Sequence, residues 1–187
     1  MCYKFTLSLL SILFSTHLVA QHAPTDNSML QLKLSDVRYD AHNPKIIDQQ
    51  GNTIGHAYLL TTSNGSLVGF SVCNLPRGWH GVHIHNKGDC DDYARGFKSA
   101  GDIYNPNFLN HGYAHDRTKA GYRIGDMANV YVGNEPCIHI EQLVPGLNKS
   151  ALRRQIKGLA LIIHAHADDY STQPQGDSGE RLACSVL

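Results

Sequence analysis

The sequence predicts an all-β domain, an antiparallel sandwich or barrel of roughly eight short strands. Three observations lead there. Segments with period-2 hydrophobic alternation recur along the chain, with turn signals between them. Seventeen glycines and seven prolines punctuate the 187 residues, and no long Ala/Glu/Lys/Leu tract suggests a helical bundle or coiled coil. A hydrophobic content of 42% against 17% charged residues suits a packed domain and not a disordered chain.

In chain order, residues 1–20 read MCYKFTLSLLSILFSTHLVA, with Lys4 the only charge before an apolar run from Phe5 to Phe14. A basic start, a short apolar run and a small exit residue make a secretory signal, with cleavage expected after Ala20. The run is shorter than the ~20 apolar residues of a membrane span. Residues 21–187 are then expected to form the mature domain. After a polar stretch at 21–28, MLQLKLSDV (29–37) alternates as a strand, and IGHAYLLTT (54–62) follows a Gly-Asn turn. The Asn-Gly pair of SNGS (63–66) predicts a hairpin into LVGFSVCNL (67–75). The segments HGVHIHN, ANVYVG, CIHIEQL, IKGLALIIHAH and RLACSVL complete the strands. A short helix is expected over 149–155. Two stretches, 86–127 and 167–180, lack any such pattern. Loops that long are usually functional when ordered.

Composition narrows the function further. Lysine plus arginine and aspartate plus glutamate both number 16, and losing Lys4 with the leader leaves 15 against 16, a net −1. That balance argues against a nucleic-acid partner, which requires an excess of cations to displace phosphate counterions. No membrane partner is expected once the leader is gone. Cys2 would leave with the leader, so four cysteines remain: Cys73, Cys90, Cys137 and Cys184. An even count behind a secretory signal reads as disulfides in an oxidising compartment, periplasmic or extracellular, with three connectivities open. No CxxC pair suggests a zinc ribbon or a thioredoxin-type site. Twelve histidines exceed what packing requires and direct attention to metals.

The segment GVHIHNKGDC (81–90) places His83 and His85 two apart on a strand, so both imidazoles project from one face. An HxH pair alone is as compatible with a structural role as with a metal. LIIHAHADDY (161–170) adds His164 at the end of an apolar strand, and GDSGERLACSVL (176–187) combines Gly turns, Arg181 and Cys184. Together with SAGDIYNP (99–106), the later HG and GDMAN, and GSLVGFSVCNLPRGWHGVHIH, these segments in this order resemble the copper/zinc superoxide dismutase family. The resemblance covers nearly all of residues 21–187. It implies an eight-stranded antiparallel Greek-key barrel or flattened sandwich, with long loops forming a metal site.

Position by position, the resemblance implies His83, His85 and His164 as copper ligands. Arg181 matches the arginine that attracts and orients the superoxide anion. Asp168 matches the carboxylate linking a copper histidine to a zinc histidine, and Cys90 and Cys184 match the family's disulfide. Cys73 and Cys137 are left either to form a second disulfide or to stay as buried small apolar residues. His80 matches a buried structural histidine, whereas His115, His139 and His166 match nothing and are expected at the surface. Asn64 and Asn148 open glycosylation sequons, relevant only in a glycosylating host.

The departures are specific. Ile103 stands where the family has its metal-bridging histidine, and Arg123 stands where it has a zinc histidine. His111 and Asp126 match the two remaining zinc ligands, a half-site expected to serve hydrogen bonding and not metal. An arginine at a zinc position supplies a fixed positive charge of its own, so copper is the implied cofactor and zinc is not expected. In the family mechanism copper takes an electron from one superoxide and returns it to another, and the bridging histidine helps deliver a proton. Ile103 can do neither job, so slow turnover that falls with rising pH is expected. Three functions compete: a secreted zinc-free copper superoxide dismutase, a copper-binding or copper-buffering protein, and a metal-free structural domain. Arg181 favours the first and Ile103 the second. Monomer and homodimer are both compatible with the sequence.

Overall fold

Period-2 alternation becomes strands wherever one face is core, and the described residues form two antiparallel sheets. The computed structural model describes residues 38–39, 43–113, 122–153 and 158–187. The strands are β1 (Arg38–Tyr39), β2 (Lys45–Asp48), β3 (Thr53–Thr61), β4 (Gly65–Cys73), β5 (Gly78–His80), β6 (Val82–His85), β7 (Val130–Val132), β8 (Cys137–Pro145), β9 (Ala160–His164) and β10 (Arg181–Val186). A curled eight-stranded sheet runs β6-β9-β10-β2-β3-β4-β8, with β1 also on β3, and β5 pairs with β7. The last two strands thus lie between β6 and β2, an order that only long crossover connections can produce. The leader, the strand expected at 29–37, His115 and the end of the expected helix lie outside the described residues.

The expected fold class is the observed one, with corrections in detail. HGVHIHN is two strands, β5 and β6, that separate at Gly81 and join different sheets. The hairpin of β3 and β4 pairs Thr61 with Ser66, but its turn is not an Asn-Gly turn with positive φ. Instead the Thr62 hydroxyl accepts from the amides of Asn64 and Gly65 at 3.2 Å and donates to the Gly65 carbonyl at 2.8 Å. The helix α1 (Lys149–Arg153) begins after Asn148, whose Oδ1 accepts from the Ala151 amide at 3.0 Å as an N-cap. Strand β2 was missed by alternation because it is short and carries apolar side chains on both faces. Ile46 belongs to the main core, and Ile47 packs on a second, smaller cluster.

That second cluster explains where the site sits. In β9, Leu161 and Ile163 enter the main core, whereas Ala160 and Ile162 face the other way. Across the pairing, Ile84 opposes Leu161, while His83 opposes Ile162 and His85 opposes Ala160. Residues directly opposed in a ladder share a face. His83, His85 and His164 therefore share the outer wall of the curled sheet. Each inward apolar side chain of these strands, fully buried, contributes roughly 1.5–3 kcal/mol, which fixes the register and so the outward set.

The outer wall is not open to water. Residues 86–113 fold over it through Cys90, Phe97 and Ala100, which pack against Ala160, Ile162 and Cys184. Cys90 and Cys184 form a disulfide between this loop and β10. Cys73 and Cys137 form a second one, across the opposed ends of β4 and β8. Cys137 is exposed, so the alternative of a buried thiol pair does not hold. Both bridges point to a protein outside the reducing cytoplasm.

Candidate metal centre

Three buried histidines meet on the wall described above. One nitrogen from each of His83, His85 and His164 lies within 4.8 Å of the others, and all three residues have no accessible surface. Their outer nitrogens are all committed. His83 Nε2 donates to Asp168 Oδ2 at 2.7 Å, His85 Nδ1 to the Gly101 carbonyl at 2.8 Å, and His164 Nδ1 to the Gly179 carbonyl at 3.3 Å. An imidazole that donates from one nitrogen and stays neutral keeps a bare lone pair on the other. His83 Nδ1 faces His164 Nε2 at 3.1 Å, and His85 Nε2 has no hydrogen-bond partner among the described residues. One nitrogen of each ring thus points into the same buried space, where a cation could join all three. Burial lowers His164 to about 3. Burial and the Arg181 charge hold His85 well below the ordinary histidine range. The donor set fits a divalent or monovalent transition metal that accepts imidazole.

The edge of β6 away from β9 is closed by the loops. Ile84 donates its amide to Gly125 and accepts from Tyr104, and single antiparallel bridges join His83 to Asp126 and His85 to Ile103. Ile103 thereby sits beside His85 on the same face, only 2% exposed. Arg181 lies opposite His164 in the β9–β10 ladder. Its guanidinium donates to the Phe97 carbonyl at 2.7 Å and the Gly101 carbonyl at 2.8 Å. The Gly101 oxygen therefore holds both a candidate ligand and the arginine beside it. Nothing in the residue types marks that carbonyl; its one sequence signal is the glycine, which adopts φ +74°.

Behind His83 runs a chain of charged groups. Asp168 accepts from His83 through Oδ2 and, through Oδ1, from His111 Nε2 at 2.8 Å. His111 Nδ1 donates to Asp126 Oδ1 at 2.8 Å. Burial alone would lower His111, but the hydrogen bonds to Asp126 and Asp168 outweigh it and raise it to about 9. Asp168 shows the converse: burial would raise it, while the bonds from His111 and His83 hold it well below the carboxylate range. Gly176 packs on this pair, where a Cβ would fall 1.7 Å from Asp168 Oδ1. Any side chain there would push the aspartate off His83.

Arg123 does not stand as a free cation facing Asp126. Its backbone amide donates to Asp126 Oδ2, but the guanidinium turns to the carbonyls of Leu109 and Pro174 and to Gln173 Oε1. The positive charge between the carboxylates is His111, and this corrects the role the sequence suggested for Arg123. Two carbonyls and an amide oxygen offer its fork three acceptors, whereas the Asp126 carboxylate is already bonded to an imidazole and two backbone amides. His80 is buried between the carbonyls of His164 and Pro76, while His139 and His166 are exposed, as the sequence suggested.

These shifts predict a stability maximum near pH 6.5 for the metal-free protein. Below that value an unfolded chain protonates His85 and His164, which the folded chain keeps neutral, so stability falls as pH drops. Asp168 adds to the loss below its unfolded value of 3.8. Above it, the raised His111 loses its stabilising charge as pH climbs towards about 9. That alkaline limb is worth on the order of 2 kcal/mol, discounted for solvent screening. Urea midpoints of chelator-treated protein across this range test the shape, and a steady rise in stability from acid to alkaline pH would refute it.

A curled antiparallel sheet with three convergent histidines on its outer wall, covered by loops, defines a fold with a candidate metal site. The sequence profile described as "Copper/zinc superoxide dismutase (SODC)" matches residues 53–187, and the chain belongs to that family. It is 35% identical over 147 residues to "Superoxide dismutase [Cu-Zn] 1" of Aquifex aeolicus, covering 76% of this chain and 84% of that one. It is 30% identical over 175 residues to "Superoxide dismutase-like protein YojM" of Bacillus subtilis, covering 89% and 87%. Among solved structures, a SOD-like protein from Bacillus subtilis superposes with a TM-score of 0.68 at 30% identity, covering 80% of this chain and 99% of that one.

Proposed function

We propose that this superoxide dismutase-like protein is an exported, copper-dependent enzyme that disproportionates superoxide slowly and without zinc. The observation that supports this best is the set of three convergent imidazole nitrogens beside Arg181, with Ile103 at the fourth position. Imidazole donors and room for a changing coordination number suit copper in both oxidation states. Bound there, copper would supply the one-electron chemistry: one superoxide is oxidised to dioxygen, the other is reduced and takes up two protons to give hydrogen peroxide. The chain's own residues set the conditions. Arg181 draws the anion in and presents two-point hydrogen bonding to it. Asp168 keeps His83 Nε2 protonated, so that Nδ1 is the donor. Ile103 can hold no proton, so the protons must come from water or another group.

Zinc does not fit the remaining half-site. His111 Nδ1 and Asp126 Oδ1 are bonded to each other at 2.8 Å and offer two ligands where a structural zinc takes four. Arg123 and Ile103 add no ligand. The leader at residues 1–20 and the two disulfides support export to the periplasm or beyond the cell. Ile103 also favours a second reading, copper buffering with little turnover.

Copper-loaded protein under a competing chelator, compared with His164→Ala, separates the two. The enzyme reading expects one copper per chain and superoxide consumption well above the variant. One tightly held copper with no rate above His164→Ala would leave buffering, and no copper would end both readings.

A further inference from the structure

We propose that Arg123 is a positioning residue whose guanidinium staples the loop after β6 to the loop before β10, so that His111 and Asp168 hold the His83 ring without a second metal. The inference rests on the copper reading above only in taking His83 as a ligand; the staple itself belongs to the metal-free chain. Arg123 Nε donates to the Leu109 carbonyl at 3.2 Å, Nη1 to the Pro174 carbonyl at 2.7 Å, and Nη2 to Gln173 Oε1 at 3.3 Å. One planar group thus reaches both loops, an arrangement lysine cannot reproduce from a single ammonium. Gln173 extends it. Its Oε1 also accepts from the His111 amide at 2.9 Å, and its Nε2 donates to the His111 carbonyl at 3.0 Å.

His111 is therefore held at four points: by Gln173 on its backbone amide and carbonyl, and by Asp126 and Asp168 on its ring. Asp168 in turn fixes His83 at 2.7 Å. A zinc ion at this place would have to break the His111–Asp126 bond and then find two further ligands. The chain has instead built a cross-link from its own donors. Loops joined only by backbone contacts sample local opening readily, whereas a multi-point polar bridge raises the free energy of that opening.

The test uses the disulfide-intact mature chain, metal-free, by amide exchange and imidazole NMR. Wild type should show protected His111 and Gly112 amides and a slowly exchanging His83 Nε2–H. Arg123→Met should speed exchange at both amides by at least about tenfold and erase the His83 signal, with core strand β4 unchanged. Arg123→Lys, which keeps the charge but not the fork, should resemble Arg123→Met. Gln173→Leu breaks the same link from the other side and should loosen His111 even if the arginine variants fail to fold. An unchanged His83 signal in the folded variants, or faster exchange spread evenly through β4, would overturn the proposal. So would one zinc bound tightly per wild-type chain through His111. Because these readouts precede metal loading, a chain that binds no copper would end the proposed function while they still decide the staple.

Discussion

Ile103→His is expected to raise superoxide turnover of the copper-loaded protein by on the order of 10²-fold, the lower end of what a positioned general acid contributes. Ile103 opposes His85 across a backbone bridge, so a side chain at 103 emerges beside the three histidines and on their face. An imidazole there offers a fourth donor and a proton carrier where isoleucine offers only bulk. The pH profile should change with it. Wild type should slow as pH rises because protons become scarcer, and the variant should hold its rate to higher pH. Zinc uptake should stay absent, since His111 and Asp126 remain bonded to each other and Arg123 remains turned to Leu109 and Pro174. Stopped-flow decay of superoxide with metal analysis on the same samples checks all three points. Equal rates for wild type and variant would mean that proton supply does not limit turnover. Arg181→Lys complements this test, because it keeps the attracting charge and removes the fork that anchors on Phe97 and Gly101.

Removing the Cys90–Cys184 bridge by a double alanine substitution is expected to destabilise the protein by about 4–5 kcal/mol, the chain-entropy value for a loop of roughly a hundred residues, before any native strain is subtracted. The two cysteines are 94 residues apart, and both belong to the cluster that seats the loop on the wall. The consequence for the site should exceed the consequence for the sheet. Phe97 and Gly101 belong to this loop, and their carbonyls hold Arg181; the Gly101 carbonyl also fixes His85 Nδ1. A loosened loop therefore frees the guanidinium and one ligand together. Copper affinity should fall in the alanine pair more than in a Cys73→Ala/Cys137→Ala pair, whose bridge joins two strands already in register. Denaturant midpoints and chelator competition on both pairs give the comparison, and equal copper loss in the two would refute it.

Much of the site was legible because strands make their faces explicit. In VHIH the alternation alone puts His83 and His85 on one side, and ALIIH adds His164 to the same side once β6 and β9 pair. The resemblance to a known family supplied Arg181, Asp168 and the two zinc-position departures. Strand β2 escaped because alternation vanishes when both faces carry apolar side chains, as for Ile46 and Ile47. Gly101 and Gln173 escaped for another reason. Gly101 acts through a carbonyl that every residue possesses, and Gln173 acts through an amide whose partner lies 62 positions away.

The sequence by itself determined the strand faces, which follow from side-chain type and a period of two, while the candidate ligand triad and the residues missing from the second metal position followed from its resemblance to a known family. Only the tertiary structure decided where Arg123 points and which group carries the charge between Asp126 and Asp168. A long flexible side chain goes where its planar fork finds several acceptors at once, and these, the carbonyls of Leu109 and Pro174 with Gln173 Oε1, stand together only after two distant loops have met.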